Sequence, residues 1–178
     1  LKLHIPGPVE VNEATWRAIS TPMIGHRSSY FQDLYGKIQP QLQELLGTEQ
    51  LVYLGTSSAW GIMEGAIRNL AQDKLLCCMC GAFSDKWLDV ATRCGIKAEG
   101  LQVEWGSPIL PETIDEKLAS GDFDAITLVH NETSTGVMNP LEEIAKLKKK
   151  YPDVMFIVDS VSSMTAVPIN FDQLKIDV

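Results

Sequence analysis

Three stretches of this sequence place groups that can do chemistry next to a predicted helix or strand. The stretch GTSSAWGIMEG, residues 55–65, has a glycine and three hydroxyl residues ahead of a predicted helix. HNETSTGV, residues 130–137, and Asp159 both stand where an apolar run ends. A helix start, a hydroxyl-rich loop and a buried carboxylate are groups that hold a phosphate and a polar ring atom. Together they would suit a flat, phosphorylated ring that contains nitrogen.

Each stretch also has a simpler interpretation that the residues alone leave open. Free N–H groups at a helix start attract an anion, but Ser and Thr are equally common as helix caps. The phosphate-binding patterns GxxxxGK[ST] and GxGxxG are both absent. The polar loop could serve function or only the turn itself, and Asp159 could merely cap a turn. Phe83 follows another apolar run, where its ring could cover a planar ligand.

The elements that must position these groups alternate along the chain. Short apolar runs predict strands at residues 75–80, 98–103, 125–130 and 154–159. Helical spacing predicts helices between them at residues 85–94, 111–120 and 140–150. This alternation is typical of a parallel sheet covered by helices on both faces, an α/β fold. Ligands of such sheets bind beyond the carboxyl ends of the strands, where the three stretches fall.

Four further elements are predicted near the two ends. Apolar spacing indicates a helix from Phe31 to Leu46, with Gly47 as its C-terminal cap, and a second helix over residues 58–70. Residues 51–54 predict a short strand, and residues 175–178 predict a strand that is only starting. A βα pattern that stops at the opening of a strand is expected for part of a longer protein.

Composition narrows the class of protein. Of the 178 residues, 45% are hydrophobic, and the net charge is −8. This negative charge disfavours a nucleic-acid partner, because it repels the phosphates. No apolar run has the length of a membrane span, and no secretory signal is visible, so a cytoplasmic protein is expected. Cys78 and Cys80 are predicted to share one face of a strand while Cys77 points to the other. Their spacing is not that of a zinc site, so buried free thiols and no metal are expected.

The order and spacing of PGP (6–8), GHRSSYF (25–31), GTSSAWGIMEG, HNETSTGV and VDSVSS (158–163) resemble the class V aminotransferases that use pyridoxal phosphate. The similarity is greatest to the alanine–glyoxylate and serine–pyruvate (serine–glyoxylate) branch. It implies the three-layer αβα large domain of the pyridoxal-phosphate-dependent transferase fold, mostly parallel and incomplete at the C-terminus. Residues 1–20 would be an N-terminal segment bordering the active site, and residues 21–178 would be part of the cofactor-binding domain.

The resemblance also implies roles for individual residues. Asp159 would keep the pyridine nitrogen of the cofactor protonated, and Thr133 would bond its phenolic oxygen. Phe83 would stack on the ring. The phosphate would lie on Ser58, Ala59 and Trp60, where relatives often carry Gly and His in place of the last two. The residues implied to border the substrate are Pro6, Gly7, Pro8 and His26.

The family's Schiff-base lysine and its small domain would follow Val178, so this chain by itself is expected to be inactive. The whole enzyme is expected to be a homodimer that transfers an amino group from a small amino acid, of alanine or serine type, to a 2-oxo acid such as glyoxylate or pyruvate. Two alternatives remain. One is a cysteine desulfurase, lyase or kynureninase relative, against which Phe83 at the stacking position argues. The other is a non-catalytic module that kept the fold.

Overall fold

The structure, a computed structural model, describes residues 2–5 and 7–178. The chain divides into two compact units, one reaching up to Leu42 and one covering Gln43–Val178. Helix α1 (Glu13–Ile19) lies in the first unit, and α2 (Ser29–Leu46) begins there and ends in the second. Asn12 caps α1 because its side-chain oxygen accepts the N–H of Thr15 at 2.9 Å.

A four-stranded parallel sheet forms the centre of the second unit. The structure describes six strands, of which four belong to this sheet. In chain order they are β1 (Leu75–Met79), β2 (Ala98–Gln102), β3 (Ala125–Val129), β4 (Asn131–Glu132), β5 (Val137–Met138) and β6 (Met155–Asp159). Parallel pairing gives the order β2-β1-β3-β6, while β4 and β5 form a separate antiparallel hairpin. β1 and β3 are buried along their whole length, as the apolar runs predicted.

Helices cover both faces of this sheet. They are α3 (Ala59–Leu70), α4 (Ala82–Arg93), α5 (Pro111–Leu118), α6 (Leu141–Ala145), which continues into a 3₁₀ turn over Lys146–Lys149, and α7 (Phe171–Leu174). One core cluster joins the sheet to α5 and α6, and a second joins its other face to α3 and α4. This arrangement confirms the predicted three-layer αβα fold.

The cysteines follow the alternation of β1. Cys78 and Cys80 belong to the core cluster on the α5 and α6 side, whereas Cys77 belongs to the cluster on the α3 and α4 side. All three are buried free thiols, and Cys94 is a half-buried free thiol. Burial raises the pKa of Cys77 to about 11, so this thiol stays protonated at neutral pH.

Two of the predicted strands are not formed. Residues 51–54 are not a strand, and Leu51, Tyr53 and Leu54 lie at the surface, 63%, 81% and 61% exposed. Residues 175–178 are not a strand either, because Lys175 has a left-handed conformation at the end of α7. The prediction at the chain end was nevertheless close, since the N–H groups of Asp177 and Val178 donate to the carbonyl of Phe156 at the edge of β6.

Other boundaries were nearly right. Gly47 follows α2 with a φ of 62°, the conformation that its predicted role as a cap requires. The predicted helix at 140–150 is a short α-helix followed by a 3₁₀ turn, a common way for a helix to end. Among the described helices, none combines the length and apolar character needed to cross a bilayer.

Candidate active site

Asp159 ends β6 and is buried, only 8% exposed. It lies opposite Val129, the last residue of β3, and its carbonyl accepts the N–H of His130 at 2.8 Å. Its side-chain Oδ1 accepts the N–H of Val161 at 3.0 Å, so Asp159 does cap the turn that follows the strand. One such hydrogen bond is little compensation for a carboxylate taken out of water.

The protonation of Asp159 reflects this environment. Burial raises the pKa of Asp159, and the negative charge of Glu132 adds to the rise. The Val161 N–H and, to a smaller extent, the side chain of Trp87 lower the pKa. The indole N–H of Trp87 exerts this effect without a hydrogen bond of good geometry. Asp159 is therefore a carboxyl group that a nearby proton donor or positive charge would stabilise in its ionised form.

Glu132 organises the neighbouring strand end. It is fully buried, and its carboxylate accepts the Ser84 N–H at 2.8 Å, the Ser84 hydroxyl at 2.9 Å and the Phe83 N–H at 3.3 Å. The Ser134 hydroxyl donates to it at 2.7 Å. Burial raises the pKa of Glu132, but these hydrogen bonds outweigh burial, so the pKa is lowered overall. A negative charge thus occupies the N-terminus of α4, where the helix dipole favours it.

Gly81 leaves the space that this carboxylate needs. A Cβ at position 81 would lie 2.4 Å from Cγ of Glu132 and 2.7 Å from Oγ of Ser134. The backbone of Gly81 is extended, so the requirement for glycine comes from the close approach of Glu132 alone.

We therefore expect Gly81→Ala to lower the free energy of unfolding of the full-length protein by about 1–3 kcal/mol, the usual cost of overpacking. Gly65→Ala is the matched control, because a Cβ there meets nothing within 4 Å in the middle of α3. That change should stabilise the protein by about 0.5–1 kcal/mol through helix propensity. Urea denaturation measures both values, and equal effects of the two substitutions would contradict the role given to Gly81.

Ser162 ties the polar loop to the turn after β6. Its hydroxyl accepts the Thr133 hydroxyl at 2.8 Å and the Asn131 side-chain amide at 2.8 Å, and it donates to the Asn131 carbonyl at 2.9 Å. Further back, the Asn139 side chain bonds the carbonyl of Val129 and the N–H of Ile109. Many polar groups of the loop therefore serve the structure, which leaves the exposed Thr133 hydroxyl as the group best placed to meet a ligand.

The start of α3 packs on α4 through two tryptophans. Ser58 is the N-cap residue of α3, and its side chain makes no capping hydrogen bond. Trp60, in the first turn, packs on Trp87 of α4 with ring centroids 5.5 Å apart. The ammonium group of Lys86 lies 4.5 Å from the centroid of the Trp60 ring. A cation and unused N-terminal groups thus lie on the same side of the sheet as Asp159.

A large cavity lies apart from this site. It has a volume of about 930 Å³ and is lined mainly by apolar side chains, among them Leu51, Val158 and Phe171. Val158 points into it, so Asp159, the next residue of the strand, faces the other way. A second cavity, about 320 Å³, is lined by His130 on the α6 side. We assign the site to the strand edge because that is where the polar and titratable groups converge.

Comparison with known proteins identifies the family. The sequence profile described as Aminotransferase class-V matches residues 12–178. The chain is 37% identical to an uncharacterized aminotransferase of Methanocaldococcus jannaschii, over 99% of this chain and 46% of that protein. It is 34% identical to the serine–glyoxylate aminotransferase of Methylorubrum extorquens, over 98% of this chain and 45% of that protein.

The chain belongs to the class V aminotransferase family.

A solved structure agrees with this class V assignment. The alanine–glyoxylate aminotransferase from Nostoc sp. superposes with a TM-score of 0.86 at 28% identity, over 97% of this chain and 46% of that one. The chain spans just under half the length of the relatives it matches.

The class V fold brings some of the predicted site residues to one edge. Asp159 ends β6, Thr133 follows β4, and Phe83 lies in the first turn of α4. The N–H of Phe83 donates to the carboxylate of Glu132, the residue before Thr133. Ser58, Ala59 and Trp60 form the start of α3, with Trp60 half-buried. Their roles toward a cofactor stay predictions.

The residues predicted to border the substrate belong to the first unit or fall outside the description. Gly7, Pro8 and His26 are exposed and lie in the first unit. Pro6 lies outside the described residues. The roles of all four toward a substrate stay predictions, as does the boundary at residue 20.

Sequence reasoning did not find the residues that hold the neighbouring elements of the site in place. Glu132 and Ser134 cap a helix that lies about fifty residues earlier, and Trp87 looked like an ordinary apolar position of that helix. A glycine two residues after the end of β1 was the visible signal, because Gly81 marks a close approach of another group.

Proposed function

We propose that the whole protein containing this chain is a pyridoxal-phosphate-dependent aminotransferase. It transfers an amino group from a small amino acid, such as alanine or serine, to a 2-oxo acid such as glyoxylate or pyruvate. The observation that carries the proposal is the buried carboxylate of Asp159 at the carboxyl end of a central parallel sheet. The names of the relatives, serine–glyoxylate and alanine–glyoxylate aminotransferase, support the substrate class.

The residues present fit pyridoxal phosphate. Asp159 has a raised pKa and a single good hydrogen bond from the described residues, so a protonated ring nitrogen would supply the missing partner. The start of α3 offers N–H groups and the unused hydroxyl of Ser58 for a phosphate. Phe83 is 43% exposed in the first turn of α4, which leaves its ring face free to cover a planar group.

The chemistry of the reaction needs a strong electron acceptor. When bound, pyridoxal phosphate supplies a conjugated ring that accepts the electron pair released as the substrate loses its Cα proton. Asp159 would keep a proton on the ring nitrogen, and the resulting positive charge would make the ring a better electron acceptor. The Thr133 hydroxyl, which donates to Ser162 in this structure, would turn to donate to the phenolic oxygen, and the start of α3 would hold the phosphate. These contacts would orient the ring before any bond breaks.

The proposal is tested by assaying the full-length protein, supplied with pyridoxal phosphate, for glycine formed from glyoxylate. L-Serine, L-alanine and L-cysteine are compared as amino donors, and the same mixtures without glyoxylate serve as controls. We expect glycine to form with serine or alanine only when glyoxylate is present.

Three outcomes would contradict this function. Release of sulfide and formation of alanine from cysteine, without glycine, would instead identify a desulfurase. A protein that binds pyridoxal phosphate but forms no product with any of these donors would overturn the proposed substrate class. If the full-length protein did not bind pyridoxal phosphate, the proposal of a pyridoxal-phosphate-dependent enzyme would be wrong.

A further inference from the structure

Trp87 carries a buried donor that no described residue satisfies. The side chain is 1% exposed, and its indole Nε1 has no hydrogen-bond acceptor among residues 2–5 and 7–178. Such orphaned donors are rare in folded proteins, since leaving a buried donor unpaired costs about 1–3 kcal/mol. The position of Trp87 therefore calls for a functional reason.

Trp87 packs beside the row of side chains that ends in Asp159. It shares a core cluster with Val129 and Ile157. Ile157 and Asp159 are two residues apart on β6 and so point to the same face. Val129 lies directly opposite Asp159 on β3. Asp159 is thus the next side chain after Ile157 on the face that this cluster covers, toward the open edge of the sheet.

Trp60 holds the indole of Trp87 from the other side. The two rings are 5.5 Å apart and inclined by 59°, a tilted arrangement that aromatic pairs favour. Because Trp60 belongs to the first turn of α3, the tryptophan pair connects the proposed phosphate seat to Asp159. The ring of Trp87 is consequently fixed, whereas the Asp159 carboxylate accepts only the Val161 N–H among residues 2–5 and 7–178.

We propose that Trp87 is a positioning residue: its indole N–H donates to the ionised carboxylate of Asp159 and fixes the direction in which that carboxylate meets the ring nitrogen of a bound cofactor. The inference rests on the proposed function for the purpose of this contact, but the contact itself involves only this chain's residues. A rotation of the carboxylate toward the indole N–H would form this bond, for which the structure shows no partner within hydrogen-bond geometry among the described residues. The effect of Trp87 on the pKa of Asp159, which it lowers, agrees in sign.

The test follows the indole N–H resonance of Trp87 in the full-length, cofactor-free protein labelled with ¹⁵N-tryptophan. We expect this resonance to shift with pH in step with the Asp159 carboxyl group, and Asp159→Asn to abolish the shift. Glu132 also faces Asp159 and raises its pKa through charge, so the comparison with Asp159→Asn identifies the group that titrates. His130 lines the cavity on the opposite face.

Trp105 provides the matched control. Its indole Nε1 donates to the Asp85 carboxylate at 3.2 Å, but the side chain is 56% exposed and does not belong to the core cluster of Trp87. Asp159→Asn should leave the Trp105 resonance unchanged. Trp87→Phe should weaken pyridoxal phosphate binding about tenfold, the usual effect of one hydrogen bond to a charged group, whereas Trp105→Phe should not.

The outcomes separate the two proposals. A Trp87 resonance that is insensitive to pH and to Asp159→Asn, in a protein that binds pyridoxal phosphate normally, overturns the positioning role and leaves the proposed function intact. A resonance that titrates with Asp159 in a protein that does not bind pyridoxal phosphate supports the contact and overturns the function. The resonance arm uses intact Trp87, so it stands even where Trp87→Phe fails to fold.

Discussion

Asp159→Asn is expected to lower the rate of amino transfer by the full-length protein about a hundred- to a thousandfold, the effect of removing one electrostatic contact to the reacting group. Asparagine has nearly the same shape and still accepts the Val161 N–H, but it carries no charge that would keep a ring nitrogen protonated. The loss should appear in kcat more than in the KM for the amino donor, because the charge acts on the bond-breaking step.

The same substitution is expected to raise the thermal stability of the cofactor-free protein at neutral pH. Burial raises the pKa of Asp159 in the folded state above its ordinary value. Between these two values the folded protein binds more protons than the unfolded chain, so stability falls as pH rises through that range and stays low above it. A neutral asparagine does not carry this cost. Calorimetric Tm values of the two proteins at acidic and neutral pH measure the difference.

Asp153→Asn is the control for both measurements. Asp153 is an exposed carboxylate just before the other end of the same strand. Its replacement should change neither the rate nor the Tm beyond the small effect of an ordinary surface substitution. If Asp159→Asn were as active as the unmodified protein, the assignment of Asp159 to the ring nitrogen would be wrong.

Glu132→Ala is expected to lower the free energy of unfolding of the full-length protein by about 3 kcal/mol, since unpaired buried donors are costly. The substitution leaves the N–H groups of Phe83 and Ser84 without their acceptor at the start of α4, whereas the Ser84 hydroxyl keeps the carbonyl of Gly81. It also removes a negative charge from the N-terminus of that helix. Glu116→Ala, at an exposed position of α5, should change stability by less than about 0.5 kcal/mol.

The pH dependence gives a second check on Glu132. Its pKa is lowered in the folded state, so its ionised form contributes stability above the ordinary pKa of glutamate. This contribution is lost as pH falls through the lowered pKa, because the unfolded chain then binds more protons. The gap in Tm between the unmodified protein and Glu132→Gln should narrow as the solution is acidified. A gap that is constant from neutral to acidic pH would show that the charge of Glu132 is not what stabilises α4.

The start of α4 shows why part of the fold was out of reach of the sequence. Helical spacing predicted a start near Asp85, yet the helix begins at Ala82. The additional turn exists because Glu132 and Ser134 accept the N–H groups of Ala82, Phe83 and Ser84. These acceptors belong to a loop about fifty residues later in the chain, so no pattern within the helix itself could predict its earlier start.

The roles of the polar groups in the loop HNETSTGV could not be read from the sequence for a similar reason. From the sequence, binding and turn formation were both open, and the structure divides the loop between them. Glu132 and Ser134 cap α4, and Asn131 and Thr133 bond Ser162, Thr133 from an exposed position. Only the packed chain decides which of several adjacent polar groups is already used.

The sequence by itself determined the alternation of strands and helices, the αβα layers, the burial of β1 with its cysteines on opposite faces, and the buried carboxylate at the end of β6. These features follow from the sequence because the pattern of apolar and polar residues within a short segment predicts both its secondary structure and its buried face. The tertiary structure alone decided that residues 51–54 form no strand, that Glu132 caps α4, and that Trp87 joins the core cluster on the face of the sheet to which Asp159 points. Those features depend on groups distant in the chain, whose meeting is fixed only when the sheet and its covering helices are assembled.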